Sequence, residues 1–307
     1  MAISQVNQVA IAQICVYVPA LAIAIVLALR HGFRRSSGWL YLILFCLIRV
    51  VGASMQLATI NDPTNSDLYV GAFTLNSIGL SALILIMLGL TTRLSQSIQQ
   101  SQTLLINPRS LRLVQTVVMV GLILGIVGGT QMGDQISNMF KNPGQTTYDV
   151  PQLSKVGVGL MIGGYGILVI ANAKPGTQIS HAEPGEKRVL IAIAAAMPFV
   201  LVRLIFSAMA TFTTNRNFRS FGGGPDYIHY FIGMAVVMEM VAIAIFEGVG
   251  LTLQKKPVKK GYTVPMGNRV PQQGQPQQGQ PQQPQPYQSQ YPPQSQQQWG
   301  TRQAEHV

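Results

Sequence analysis

Residues 68–92, LYVGAFTLNSIGLSALILIMLGLTT, contain no charged side chain. A helix needs about 20 mostly apolar residues to cross the hydrocarbon core of a bilayer, so this stretch predicts a transmembrane helix. Six further stretches of the same kind lie on either side of it, at about 9–29, 39–60, 111–129, 153–172, 189–212 and 227–253. The sequence therefore predicts an all-α protein, with a seven-transmembrane-helix bundle in residues 1–257.

The composition excludes a soluble protein. Charged residues make up 10% of the chain and hydrophobic residues 48%, whereas charged residues make up about 25% of ordinary globular proteins. The net charge of +11 lies in the connections and the tail and not on one soluble face, so we expect no nucleic-acid partner. The two cysteines, Cys15 and Cys46, lie in apolar stretches, which excludes a disulfide framework of the exported kind.

The distribution of Lys and Arg predicts the orientation of the bundle. Alternate connections, together with the tail, hold about fifteen of these residues, and the remaining connections hold about four. Because positively charged connections stay in the cytosol, we expect the C-terminus in the cytosol and the N-terminus outside. The first stretch is too long for a signal-peptide core, so we expect it to be retained. We expect a plasma-membrane location, with an endomembrane as the alternative.

From residue 258 the chain changes character, because Gln, Pro and Gly dominate residues 271–298. Such a segment has too few apolar groups to form a core, so residues 258–307 predict a disordered cytosolic tail. Its aromatic residues Tyr287, Tyr291 and Trp299 fit either a solvated tail or one that binds a cytosolic protein. The basic cluster Lys255–Lys260 fits either a contact with anionic lipid or an ordinary cytosolic flank.

Four ionisable residues lie inside the apolar stretches, namely Arg49, Arg203, Glu239 and Glu247. Charges within a bilayer are costly, so each is a candidate functional residue. At about 1.5 Å per residue, Arg203 and Glu239 both lie roughly 20 Å from the cytosolic ends of their helices. Arg49 lies at about 15 Å and Glu247 at about 10 Å. An Arg203–Glu239 ion pair therefore fits by depth, and Arg49 could bridge the two glutamates.

Two interpretations of these charges remain open. They could tie helices together in the correct register, or they could form a site for a ligand, a lipid head group or a relayed proton. On the third helix, Thr74, Ser77 and Ser81 predict an inward polar strip of the kind that makes helix–helix hydrogen bonds. Asn76 points about 100° away from Ser77 on the helical wheel, and so lies outside that strip.

Glycines at a spacing of four residues form a second pattern in the fourth and fifth stretches. They are Gly121, Gly125 and Gly129, followed by Gly159 and Gly163. Small residues at this spacing let two helix backbones approach closely. We therefore expect these glycines to pack helices and not to bind phosphate, because no glycine-rich loop joins a strand to a helix here.

The residues needed for catalysis or metal binding are not grouped in the sequence. The four histidines have no metal-ligand spacing, and neither cysteine has a histidine nearby. The sequence shows no Ser/His/Asp arrangement, and the seventh stretch has no lysine to hold retinal. We therefore expect no metal, no cofactor and no enzymatic activity.

Three short motifs carry a family resemblance: Arg49–Val50–Val51–Gly52 with Gln56, Pro198–Phe199 followed by Arg203, and Met238–Glu239. They resemble a fungal family of seven-helix membrane proteins known only as a domain of unknown function, over about residues 5–255. The resemblance implies a fungal origin and a multi-pass membrane location, without an established activity. The layout is also similar to that of the fungal lipid-translocating exporters, which is a likeness of architecture and not of function.

Three functions are consistent with the sequence. The protein could be a receptor or sensor of a small or amphiphilic ligand, a translocator of lipids or small amphiphiles, or a membrane anchor for the tail. Short outer connections disfavour a protein ligand, and the absence of inverted repeats disfavours a conventional secondary transporter. The expected partners are membrane lipids, a small amphiphilic ligand and a cytosolic protein bound through the tail.

Overall fold

A computed structural model describes residues 4–31, 37–99, 108–141, 149–177, 184–219, 224 and 226–253. Within these ranges the chain is almost entirely helical and contains no strand. The main helices are α1 (Gln5–His31), α2 (Ser37–Ala58), α3 (Ser66–Gln99), α4 (Pro108–Lys141), α5 (Gln152–Thr177), α6 (Pro184–Phe212) and α7 (Tyr227–Thr252). All seven contain stretches long and apolar enough to cross a membrane, which confirms the predicted fold class.

Each predicted apolar stretch lies within one helix or ends within a few residues of it, but two helices run well beyond their stretch. Helix α3 continues past Thr92 to Gln99, and α4 continues past Gly129 to Lys141. Neither extension contains a proline, and the polar residues there are compatible with helix, so the helix persists after the apolar run ends. The chain divides into two units, Met1–Pro257 and Val258–Val307, and the second lies outside the described residues, as does the predicted tail.

Helix α3 forms the centre of the bundle. Every residue from Ile78 to Thr91 is buried. In the most apolar 18-residue stretch of α3, 78% of the residues are buried, against at most 50% in the corresponding stretches of the other six helices. It packs against α2, α4, α5 and α6. A helix that is apolar on all sides is stable where other helices or lipid surround it, and in this bundle other helices surround most of α3.

The other helices pack around α3 in an order that brings the two ends of the bundle domain together. Consecutive helices from α1 to α6 are neighbours, and α7 packs against both α6 and α1. We call the end where α1 and α7 begin the N-terminal end of the bundle, and the end where they finish the C-terminal end. Apolar side chains such as Leu29 (65% exposed) and Ile170 (61% exposed) cover the outside of the bundle, as a lipid environment requires.

Helix α7 is not a regular α-helix throughout. Residues Tyr227–Tyr230 are α-helical, Phe231–Val236 form a π-helix, and Val237–Thr252 are α-helical again. The rings of Tyr227 and Phe231 are stacked with their centroids 5.7 Å apart at the N-terminal end. The sequence predicted neither the π-helix nor its position immediately before Glu239.

Candidate functional site

Glu239 lies between two arginines that come from different helices. Nε of Arg203 on α6 donates a hydrogen bond of 2.6 Å to Oε1 of Glu239 on α7. Arg49 on α2 donates to the same carboxylate through Nη2. The side chains are buried, with 3% of each arginine and 1% of the glutamate exposed. The two residues that the sequence places at equal depth therefore form an ion pair, and Arg49 shares it.

Asn76 joins the same group from the central helix. Its side-chain Oδ1 accepts a hydrogen bond from Nη1 of Arg49. Its backbone carbonyl oxygen accepts from Nη2 of Arg49 at 3.4 Å and from Nη2 of Arg203 at 3.2 Å. Asn76 thus supplies the oxygen acceptors that the guanidinium groups do not find on Glu239. We call Arg49, Asn76, Arg203 and Glu239 the arginine–glutamate cluster.

Sequence reasoning did not include Asn76 among the site residues, because it points about 100° away from Ser77 on the helical wheel. Asn76 nevertheless meets two neighbouring helices, because Arg49 of α2 and Arg203 of α6 both donate hydrogen bonds to it. Ser77 and Ser81 instead donate to backbone carbonyls of their own helix, those of Phe73 and Ile78. An asparagine inside an otherwise apolar stretch is the signal that could have identified the position.

Aromatic rings and a glycine complete the surroundings of the two guanidinium groups. Cζ of Arg49 lies 5.4 Å from the centroid of the Phe45 ring, and Cζ of Arg203 lies 5.7 Å from that of Phe206. These distances are within the range of cation–π attraction. Gly79 packs against the guanidinium group of Arg49, where a side chain would collide with it. Apolar groups therefore cover part of both guanidinium groups.

Helix α1 places further polar side chains beside the cluster. Tyr17 is fully buried, with its ring centroid 5.7 Å from that of Phe45, and its hydroxyl lies within coulombic range of Glu239 and both arginines. Gln13 is buried one turn before Tyr17 on the same helix. Among the described residues, the hydroxyl of Tyr17 and the amide nitrogen of Gln13 have no hydrogen-bond partner. Sequence reasoning identified neither residue as part of a site.

Glu247 does not join the cluster. It is buried on α7, but no arginine of the described chain pairs with it, and its Oε1 has no hydrogen-bond partner there. The expectation that Arg49 bridges the two glutamates is therefore wrong. Eight residues of helix separate them by about 12 Å along the axis, too far for one guanidinium group, and Asn76 holds Arg49 near Glu239.

The predicted glycine packing is present on α4 but has a different register on α5. A Cβ at Gly157 would lie 2.9 Å from the backbone oxygen of Gly121 and 3.2 Å from the backbone nitrogen of Gly125. Gly129 packs instead on α3, where a Cβ would lie 2.7 Å from Oγ1 of Thr74. Two other glycines face open space on the exposed side of α5, Gly159 and Gly163. Gly159 is about 200° around the helix from Gly157, so packing by this pair was a wrong prediction.

Basic side chains hold the C-terminal end of α7. Arg30 and Arg188 donate hydrogen bonds of 3.1 Å to the carbonyl oxygens of Leu251 and Thr252. Nε2 of His31 lies 3.2 Å from the carbonyl oxygen of Gly250, and the His31 ring stacks on Trp39. The last carbonyls of a helix lack partners within it and carry the negative end of its dipole, which cations stabilise. The end of α7 is thereby tied to α1 and α6.

Comparison with known proteins gives one match. A family model described as a domain of unknown function, DUF7702, matches residues 3–256, and so covers all four members of the arginine–glutamate cluster. No curated protein and no solved structure matches the chain.

Proposed function

The chain belongs to the family described as a domain of unknown function (DUF7702), and from this premise we propose that it is a receptor or sensor for a small amphiphilic ligand. Its seven apolar helices make it a multi-pass integral membrane protein. An amphiphile suits such a bundle, because its apolar part can lie among apolar side chains while its polar group meets a buried polar cluster.

The observation that carries the proposal is the position of Glu239. Its carboxylate links α7 to arginines of α2 and α6, and it follows directly after the π-helix Phe231–Val236. π-helical turns are rare and occur frequently at functional sites. A ligand that exchanges hydrogen bonds with Arg49 or Arg203 changes how strongly α7 is held, next to a segment that can return to the α-helical register.

A shift of α7 has a route to the other end of the bundle. The helix is continuous from Glu239 to Thr252, where Arg30, His31 and Arg188 hold its last carbonyls. The orientation predicted from the basic residues places this end in the cytosol. Binding at the cluster would therefore be coupled to the cytosolic surface through one rigid helix with two discrete arrangements.

The test uses the full-length protein in nanodiscs of phosphatidylcholine. The chain has two tryptophans, Trp39 and Trp299, so Trp299→Phe leaves Trp39 as the reporter of the C-terminal end. The compounds tested are dodecanoate, dodecyl phosphate, dodecanol and dodecyltrimethylammonium. We expect at least one of them to cause saturable changes in Trp39 fluorescence and in melting temperature. Glu239→Gln should abolish the change in Trp39 fluorescence, because it removes the carboxylate that links α7 to the two arginines.

The matched control is Asn172→Ala, because Asn172 makes a buried polar contact with Thr91 between α5 and α3, away from the cluster. This variant should keep both responses. If the control also loses both responses, the loss in Glu239→Gln is a result of general destabilisation and not of the missing carboxylate. If no amphiphile changes either signal in the parent protein, the proposed function is wrong.

A translocator of lipids or amphiphiles is the second candidate. It is favoured by polar side chains on the buried face of α1, where Asn7 accepts a hydrogen bond from Gln56 and Gln13 follows towards the cluster. Such residues could guide a head group between the N-terminal end and Glu239. Proteoliposomes with fluorescent lipids distinguish the two functions, since a receptor gives no lipid movement above that of protein-free liposomes.

A further inference from the structure

We infer that the arginine–glutamate cluster, together with Tyr17 and Gln13 of α1, is a binding site for a monoanionic head group, specifically a carboxylate. The inference rests on the proposed function, because it names the chemistry of the ligand that the same site would take.

The first argument is the charge of the cluster. Arg49 and Arg203 share one carboxylate, that of Glu239, which is their one acidic partner among the residues that the structure describes. The cluster by itself therefore carries a charge of +1 in an apolar interior. Glu247 is about 12 Å further along α7 and does not contact either arginine. An uncompensated charge in such surroundings is costly, and one bound anion would neutralise it.

The second argument is the kind of polar atom left without a partner. Between the α1–α2 contacts Tyr17–Phe45 and Asn7–Gln56, which bracket the level of Arg49, these atoms are Nε2 of Gln13, the hydroxyl of Tyr17 and Nε of Arg49. All three can donate a hydrogen bond, and all three residues are at most 7% exposed. Buried donors are normally satisfied, so a set of unsatisfied donors indicates a missing acceptor. A carboxylate offers two acceptor oxygens and carries no proton of its own at neutral pH.

The third argument is geometric. Tyr17 and Gln13 are four residues apart on α1, so both side chains lie on the same face of that helix. The ring of Phe45 lies between Tyr17 and Arg49, with its centroid 5.7 Å from the Tyr17 ring and 5.4 Å from Cζ of Arg49. Tyr17 and Gln13 therefore lie on the face of α1 that packs against Phe45 of α2, one turn from Arg49.

A guanidinium group matches the planar, two-oxygen shape of a carboxylate. A phosphate monoester carries up to two negative charges, which is more than the single positive charge of the site. A neutral or cationic head group carries no net negative charge and would leave the site charge uncompensated. The carboxylate could belong to a free fatty acid or to a lipid head group such as that of phosphatidylserine. Both sources present the same chemistry to the site.

The experiment compares four C12 amphiphiles by calorimetry on the full-length protein in phosphatidylcholine nanodiscs: dodecanoate, dodecyl phosphate, dodecanol and dodecyltrimethylammonium. We expect dodecanoate to bind at least about tenfold more tightly than each of the others. Tyr17→Phe and Gln13→Leu should each weaken dodecanoate binding by about tenfold and leave the weak binding of dodecanol unchanged. Tyr165→Phe is the control, because its hydroxyl donates to the carbonyl of Met197 away from the cluster.

The outcomes separate this inference from the proposed function. Equal affinity for dodecanoate and dodecanol, or tighter binding of dodecyl phosphate, would overturn the carboxylate site while leaving an amphiphile receptor. The carboxylate site would also be overturned if Tyr17→Phe has an unchanged melting temperature and binds dodecanoate as tightly as the parent protein does. Absence of binding by all four compounds would overturn both. Phosphatidylserine in the nanodiscs should compete with dodecanoate if the source is a lipid, and should not compete if it is a free acid.

Discussion

Gly79 makes room for Arg49: a Cβ atom at position 79 would lie 2.7 Å from Cζ of the arginine and 2.9 Å from its Nε. The guanidinium group fills the space that a side chain would take on the central helix. Since Arg49 also hydrogen-bonds to Asn76, three residues before Gly79 on α3, the two helices are joined at one level by both shape and charge.

This contact predicts that Gly79→Ala disrupts the cluster. The methyl group must displace the guanidinium group of Arg49 and weaken its bonds to Glu239 and Asn76, so the melting temperature in detergent should fall. Gly125→Ala is the control, because a Cβ there has no atom within 4 Å. Alanine favours a helix over glycine by about 1 kcal/mol, so the control should be neutral or slightly stabilised. Equal effects of the two substitutions would contradict the packing.

The shared carboxylate predicts that the two sides of the ion pair are not equivalent. Glu239→Gln leaves two buried arginines without an acid, whereas Arg203→Met leaves a neutral Arg49–Glu239 pair. We expect Glu239→Gln to lower the free energy of unfolding by about 3–5 kcal/mol, and Arg203→Met to lower it by less. The double variant should cost less than the sum of the singles, as a double-mutant cycle in denaturant measures. Strict additivity would show that the residues act independently.

The register of the α4–α5 contact predicts opposite results for two glycines on one helix. Gly157→Ala places a methyl group against backbone atoms of Gly121 and Gly125, which cannot rotate away, so the melting temperature should fall. Gly159→Ala meets open space on the exposed side of α5 and should not lower the melting temperature. A loss of stability in Gly159→Ala but not in Gly157→Ala would restore the register expected from the sequence.

The basic residues at the end of α7 predict a salt-dependent contribution. Arg30→Gln and Arg188→Gln each remove a cation from the last carbonyls of the helix, which is worth about 0.3–1 kcal/mol at low ionic strength. We expect small decreases in melting temperature that shrink as salt is added, because the contacts are exposed. The control is Arg112→Gln, an exposed arginine near the start of α4. A decrease of the same size in the control would indicate a general effect of charge.

The orientation predicts the accessibility of terminal tags. A tag before Met1 should be labelled by a membrane-impermeant reagent on intact cells, and a tag after Val307 should be labelled only after permeabilisation. The physical basis is the excess of Lys and Arg on alternate connections. Labelling of both tags from the same side would contradict seven crossings.

The transmembrane helices and the Arg203–Glu239 ion pair could be predicted from the sequence, because each depends on the residues of a single apolar stretch and their positions along it. Apolar length gives a spanning helix, and position along a helix gives depth, which is how Arg203 and Glu239 could be matched. The place of α3 at the centre depends on how all seven helices pack, so the partners of Asn76 could not be read from its own helix, although a polar residue in an apolar stretch marks the position. The choice of Gly157 over Gly159 depends on the rotation of α5 about its axis, which the spacing of its glycines does not reveal.

The enclosed position of α3 has a consequence for biosynthesis. The ribosome completes Arg49 and Asn76 early, whereas Glu239 belongs to the last helix to emerge. Helix α3 is without its later neighbours α4, α5 and α6 until each has been translated, and the guanidinium group of Arg49 is without its carboxylate until α7 follows them. In that intermediate the apolar surface of α3 faces lipid or the insertion machinery. Glu239 pairs with the arginines only after the chain has been translated through α7. A nascent chain stopped between α6 and α7 carries two arginines without their shared carboxylate.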